Sequence, residues 1–345
     1  RDAMSKLQYR HWSPLLGERD AGSMMRIAEA FGSFGTYADE ATSEGLGETL
    51  PQRFDVGLNY VQAGIDGAGN SDDIGTAVSR TNYFRETYAY GSEVLAPGIE
   101  AFMQLPQLGE SARQLSACDL IQPAIVYANL LVPGQELAIH TDVPEFRGAN
   151  RKNMPQWLLV CMLHSGLFSH WRIPILTCVS WWGSASGGAF TFYPDGPAGA
   201  RQSIPAVNNS AILVDTDRIY HGVERVGQPL PDLPPIGQQT RLHFCGDGRW
   251  QLREGVSVLA EYDWREIRYS ISWKAYCFAD EADCNRWQHG SDDISLVQAI
   301  DILERELRER GTLSGTRPGP DEFAKMMVDA FIQFPRAVQS ENRTG

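Results

Sequence analysis

"LLVPGQELAIHTD", residues 130–142, is two apolar runs split by a Pro–Gly turn, and the second run ends on a histidine and an aspartate two positions apart. In a strand, residues i and i+2 project from the same face. His140 and Asp142 therefore share one wall, with Thr141 turned the other way. Two metal-capable side chains on a half-buried strand still need a ligand from elsewhere. What this segment is for depends on what surrounds it.

From about residue 121 the chain breaks into short apolar or alternating runs separated by Gly, Pro and Asn. "PAIVYANLLV", "ELAIHTD", "WLLVCMLHS", "ILTCVSWWG", "GAFTFYP", "SAILVDT", "HGVERV" and "TRLHF" each have strand length. Many short strands with turn signals at this spacing predict a sandwich or barrel. The first third looks helical and loop-rich: "AGSMMRIAEAFGSF" (21–34) and residues 83–103 carry apolar residues at helical spacing, with "DGAGNSDDIG" (66–75) as a loop between them. Beyond residue 250 come a strand, "RYSISWKAYCFAD" (268–280), and then helices. The clearest helix is "DDISLVQAIDILERELRERG" (292–311), with Asp292 or Asp293 as cap, an apolar stripe of Ile294, Val297, Ile300, Leu303 and Leu307, and Gly311 as terminator. The expected organisation is one domain over 1–345. It divides into a helical region (1–120), a jelly-roll core (121–250) and a strand with C-terminal helices (251–345). The fold class is α+β with a mainly β core.

Composition removes several functions. A formal charge of −13 with scattered basic residues argues against a nucleic-acid surface. The six cysteines show no CxxC pair, so they are expected as buried reduced thiols and not as a disulfide framework or zinc site. No apolar run approaches the ~18 residues of a membrane span, and the start has no signal-like apolar core. A cytoplasmic protein is the expectation, as a monomer or a homodimer.

Among the seven histidines, His221 stands out. It follows an apolar strand and an Asp-rich turn, and it opens "HGVERV" beside a glycine, where a barrel presents ligands to its interior. His164 and His170, six apart, fit neither strand nor helix ligand spacing. Asp215 and Asp217 sit in a turn and suit backbone capping. Trp181 and Trp182 suit core packing. Two histidines and one carboxylate on one face of an iron leave three positions open for cosubstrate and oxygen.

On these residues the chain resembles the Fe(II)/2-oxoglutarate-dependent dioxygenases, whose double-stranded β-helix carries His-x-Asp early and a second His late. "LLVPGQELAIHTD", "GGAFTFYPDG" (187–196), "IPAVNNSAILVDTDRIYHGVERV" (204–226) and "TRLHF" (240–244) are similar to that family's elements, in its order, across residues 121–249. The resemblance implies iron on His140, Asp142 and His221, and Arg241 paired with the distal carboxylate of 2-oxoglutarate. Arg225, four positions after His221, is the second-ranked alternative. Tyr127, Asn129 and His243 are further candidates for the cosubstrate pocket. Arg147, Arg151 and Lys152 lie on a segment expected to act as a lid, where cations could receive a substrate carboxylate. The implied cofactors are Fe(II), 2-oxoglutarate as cosubstrate and O2. The implied reaction oxidises a C–H bond of a small, amino-acid-like or natural-product molecule, with release of succinate and CO2. The carboxylate at Asp142 points to oxygenation or dehydrogenation, not halogenation. Two other readings are a protein side-chain hydroxylase and a non-catalytic jelly-roll binding module.

Overall fold

The computed structural model describes residues 8–37, 50–67, 69–227 and 233–336. Its strands, in chain order, begin with β1 (Arg10–Trp12), β2 (Ser33–Thr36), β3 (Phe84–Tyr90) and β4 (Glu93–Val94). They continue as β5 (Leu120–Leu131), β6 (Leu137–His140), β7 (Glu145–Phe146), β8 (Arg172–Ile173), β9 (Ile175–Trp182), β10 (Phe190–Tyr193), β11 (Gln202–Ile204), β12 (Ser210–Val214) and β13 (Tyr220–Val223). The last are β14 (Thr240–Phe244), β15 (Arg249–Glu254), β16 (Ser257–Asp263) and β17 (Arg268–Phe278).

Two antiparallel sheets face one another. The larger runs β1-β12-β9-β17-β5-β3-β2-β14-β15-β16, and the smaller β11-β10-β13-β6. Within them, β12-β9-β17-β5 and β11-β10-β13-β6 are the two four-stranded layers of a double-stranded β-helix. The expected fold class, α+β with a mainly β core, is what the chain adopts.

β17 shows how the sequence builds a two-faced wall. Tyr269, Ile271, Trp273, Ala275 and Cys277 enter the main core, which also holds Met24 and Ile27 of α1 (Glu18–Phe31), and Phe102, Leu108 and Ala112 of α4 (Glu100–Met103) and α5 (Pro106–Ser116). The alternate residues, Arg268, Ser270, Ser272, Lys274 and Tyr276, occupy the opposite face. Arg268 and Lys274 make contacts across to the smaller-sheet side, at Gly188 and Asp142. This face is the barrel's interior.

Several expectations are corrected. In the segment 83–103, residues 84–90 form β3, which pairs with β5 and extends the main sheet; sheet pairing overrides the weak helical spacing. "WLLVCMLHS" lies in a helix, α6 (Gln156–Ser165). It is apolar on every side because it is buried against α8 (Leu296–Glu309) and α9 (Pro320–Phe331), so periodicity could not separate strand from helix. "TRLHF" is a strand but not the barrel's last. The meander β14–β15–β16 is inserted after β13, and the barrel closes only at β17, beyond residue 250. Ser295 caps α8 in a capping box with Gln298, while Asp292 is held by Arg147; Val297 of the expected stripe is exposed. All six cysteines are free, and five are buried; Cys245 is exposed. Among the described residues no helix is long and apolar enough to cross a membrane.

Two glycines explain themselves by crowding. A Cβ on Gly222 would lie 2.6 Å from the Leu137 carbonyl, so glycine lets β13 approach β6. Gly188, at φ +64°, would put a Cβ 2.4 Å from Cδ of Arg268. Gly188→Ala should therefore cost about 1–3 kcal/mol through backbone strain and displacement of the Arg268 stem. Urea denaturation checks this, and an unchanged midpoint would contradict the described packing.

Candidate active site

β6 and β13 pair antiparallel with His140 opposite His221, which sets the two rings 4.3 Å apart. Asp142 follows the end of β6. Its N–H donates to the Thr216 carbonyl at 2.9 Å, and Arg53 Nη1 donates to the Thr141 carbonyl at 3.0 Å, so the backbone is tied on both sides. Asp142 Oδ1 lies 3.3 Å from His140 Nε2 and 3.6 Å from His221 Nε2. One ligand atom from each of the three residues falls within 4.8 Å of the others.

Hydrogen bonding fixes the chemistry of these atoms. His140 Nδ1 is 2.8 Å from the Ala138 carbonyl and His221 Nδ1 is 2.9 Å from the Ile219 carbonyl. A carbonyl can only accept, so each Nδ1 carries the proton and each Nε2 presents a lone pair inward. Burial and the neighbouring His221 pull His140 below its ordinary value, which keeps it neutral. Burial alone would raise Asp142, but the Lys274 ammonium beside it holds it well below the usual carboxylate range. Two lone pairs and a carboxylate oxygen thus converge with no proton assigned between them, a donor set that fits a divalent cation with imidazole and carboxylate preferences.

Lys274 orients the carboxylate. Its Nζ sits 2.5 Å from Asp142 Oδ2, leaving Oδ1 toward the histidines. Phe190 stacks on the His221 ring at 5.5 Å and shields it from water.

The other expected residues divide. Tyr127 and Asn129 lie on β5 opposite Ser272 and Ser270 of β17, on the interior face. Arg241 does not join them. It is on β14, 45% exposed, and paired with Glu86 at 3.2 Å, because β14 belongs to the meander outside the barrel. His243 lies on the same strand and shares its displacement. Arg225 is also engaged, 3.1 Å from Glu136. Asp215 binds Arg172 at 2.7 Å. His170 reaches Asp292, and Arg147 is locked by Asp292 and Asp283. His164 touches Thr141 Oγ1 at 3.2 Å just beyond the end of β6.

The barrel interior instead offers Arg268. It is 3% exposed, its Nε donates to the Gly188 carbonyl at 2.6 Å, and its Nη1 lies 3.4 Å from Ser270 Oγ. Burial, with no compensating carboxylate, pulls this guanidinium down to about 9, so it is still charged at neutral pH. Arg268 Nη2 has no partner among the described residues; nor do Asn129 Oδ1 and Trp181 Nε1, which flank Ser270 from the adjacent strands. Each such buried orphan costs about 1–3 kcal/mol unless something fills the space. The signal was in "RYSISWKAYCF": Arg268, Ser270, Ser272 and Lys274 alternate with apolar residues, a polar face that a largely buried strand has no other reason to carry.

No family model matches the chain, and no curated protein matches it in sequence. Among solved structures it is similar to a prolyl-4-hydroxylase from Pseudomonas putida, at 9% identity and a TM-score of 0.41, over 80% of this chain and 96% of that one. It is similar to the non-heme alpha-ketoglutarate-dependent carbocyclase SnoK from nogalamycin biosynthesis, at 10% identity and 0.41, over 79% and 80%. It is also similar to HygX from Streptomyces hygroscopicus, solved with nickel, 2-oxoglutarate and hygromycin B, at 9% identity and 0.38, over 79% and 84%.

Proposed function

We propose that the chain is an Fe(II)- and 2-oxoglutarate-dependent oxygenase that oxidises a C–H bond of a small molecule. The observation that carries this reading is the convergence of three acceptor atoms, from His140, Asp142 and His221, at one end of a double-stranded β-helix. These residues would hold the iron, and Arg268 with Ser270 would receive the distal carboxylate of 2-oxoglutarate in place of Arg241. A planar guanidinium matches a carboxylate in a bidentate fork, and the buried anion removes the cost of the unpaired cation. When bound, the metal and cosubstrate supply O2 activation coupled to loss of CO2 and formation of succinate.

The chain's own residues do the positioning. The Nδ1–H bonds of both histidines fix their tautomers and ring planes. Lys274 keeps Asp142 ionised and turns one oxygen toward the histidines. Phe190, Trp181 and Val179 line the interior with apolar surface that excludes water.

Anaerobically purified protein given Fe(II), 2-oxoglutarate and then air should form succinate, slowly, even without a prime substrate. Succinate that appears equally in His221→Ala, or that needs no Fe(II), would overturn the assignment. A non-catalytic binding module would consume no oxygen at all.

A further inference from the structure

Lys274 is neutralised by Asp142, Arg53 by Asp55, and Arg268 is assigned to the cosubstrate. Among the described arginines near the triad, Arg85 and Arg151 remain. Arg85, on β3, lies with its guanidinium 3.7 Å from the Tyr127 ring centre and 4.6 Å from that of Tyr37. Arg151, on the segment after β7, donates through Nη1 to Tyr37 Oη at 3.3 Å. No carboxylate lies within ion-pair distance of either one among the described residues. The groups around Arg85 are the neutral phenols Tyr127, Tyr83 and Tyr37, and Arg151 feels Arg85 as a repelling neighbour and Asp142 as an attracting one. Glu145, which feels Arg151 and Lys152 beyond ion-pair distance, is engaged by Tyr276, and burial pushes it upward.

Arg85 is half-buried among the tyrosines, and Arg151 lies exposed at the rim. The chain carries a net charge of −13, yet among the described residues no carboxylate closes this pair. Tyr37 joins them, its ring against one guanidinium and its hydroxyl against the other. A ring-stacked guanidinium keeps its in-plane N–H donors free at the edge, where they suit an oxyanion. Like charges held near each other become favourable when an anion sits between them.

Resting on the oxygenase reading, we infer that the prime substrate carries an oxyanion, a carboxylate or a phosphate monoester, which Arg85 and Arg151 receive beside the metal triad. The aromatic walls of Tyr37, Tyr83 and Tyr127 suit an apolar body next to that anion. Arg85 and Arg151 then set which molecule is placed at the metal, while Arg268 takes the cosubstrate.

Protein loaded with Fe(II) and 2-oxoglutarate under argon is titrated calorimetrically with benzoate, phenyl phosphate and the neutral benzamide. One or both anions should bind saturably and benzamide should not, and the stronger anion identifies the oxyanion class. Arg85→Gln and Arg151→Gln should each weaken that anion roughly ten-fold or more, and Arg85→Lys less than Arg85→Gln. Their affinity for 2-oxoglutarate, read separately, should not change, and that unchanged value also shows the variants to be folded. Absence of anion binding, equal binding of benzamide, or wild-type affinity in both Gln variants would overturn the inference. So would a loss of 2-oxoglutarate binding in Arg85→Gln, which would make Arg85 the cosubstrate anchor. The same titration on metal-free protein scores the anion site even if Fe(II) and 2-oxoglutarate fail to bind, so the two readings fail separately.

Discussion

His221→Ala should lose tight Fe(II) binding and all succinate formation while keeping its fold. Loss of a partner one shell out from a metal typically costs 10–100-fold in affinity, so removing a ligand should cost on the order of 100-fold or more. The fold should survive because His221 contributes a ring against Phe190 and one bond to the Ile219 carbonyl, not a buried charge pair. Asp142→Ala should behave differently. It abolishes metal binding and also strands Lys274, whose partner it is at 2.5 Å. Both side chains keep 18% exposure, so the stability loss should be about 1–3 kcal/mol, below the cost of breaking a fully buried pair. Adding Lys274→Met to Asp142→Ala should restore most of that loss without restoring metal binding. Thermal denaturation of the three metal-free proteins, alongside Fe(II) titration, separates the two effects. If His221→Ala binds iron normally, the ligand assignment fails.

Arg268→Gln carries the second large effect, and its two consequences have opposite signs. Truncating one partner of a buried charge pair costs about 2–4 kcal/mol, so 2-oxoglutarate affinity should fall roughly thirty-fold to several hundred-fold. The ligand-free protein should be as stable as wild type or more so, because the substitution removes a buried guanidinium that no carboxylate neutralises. A purely structural arginine would give the reverse: lower stability and unchanged cosubstrate binding. Iron affinity should hold, since the triad is untouched.

The barrel and its His140–Asp142–His221 cluster were legible because each rests on a short-range rule. Alternation put His140 and Asp142 on one face, and an apolar strand followed by a turn marked His221. The expected strands at 175–183, 188–194 and 210–216 hold β9, β10 and β12. What failed depended on the distant chain. α6 is apolar throughout, so only its packing against α8 and α9 distinguishes it from a strand. Arg241 lies on a strand with apolar neighbours, but the meander β14–β16 carries that strand out of the barrel, and an insertion of this kind leaves no local mark. Arg268 occupies the interior because β17 pairs with both β5 and β9, contacts over a hundred residues away in one direction. Sequence order pointed to Arg241 as the interior arginine, whereas the buried interior arginine, Arg268, lies in the polar alternation of β17.

We propose that one barrel interior holds iron on His140, Asp142 and His221 and anchors 2-oxoglutarate on Arg268. The most direct test is the visible charge-transfer band of anaerobic Fe(II) protein titrated with 2-oxoglutarate, in wild type, Arg268→Gln and Arg241→Gln. The band should form and saturate in wild type and in Arg241→Gln with similar dissociation constants, and should require far more 2-oxoglutarate in Arg268→Gln. No band in wild type, or a large loss in Arg241→Gln with Arg268→Gln unchanged, would contradict it.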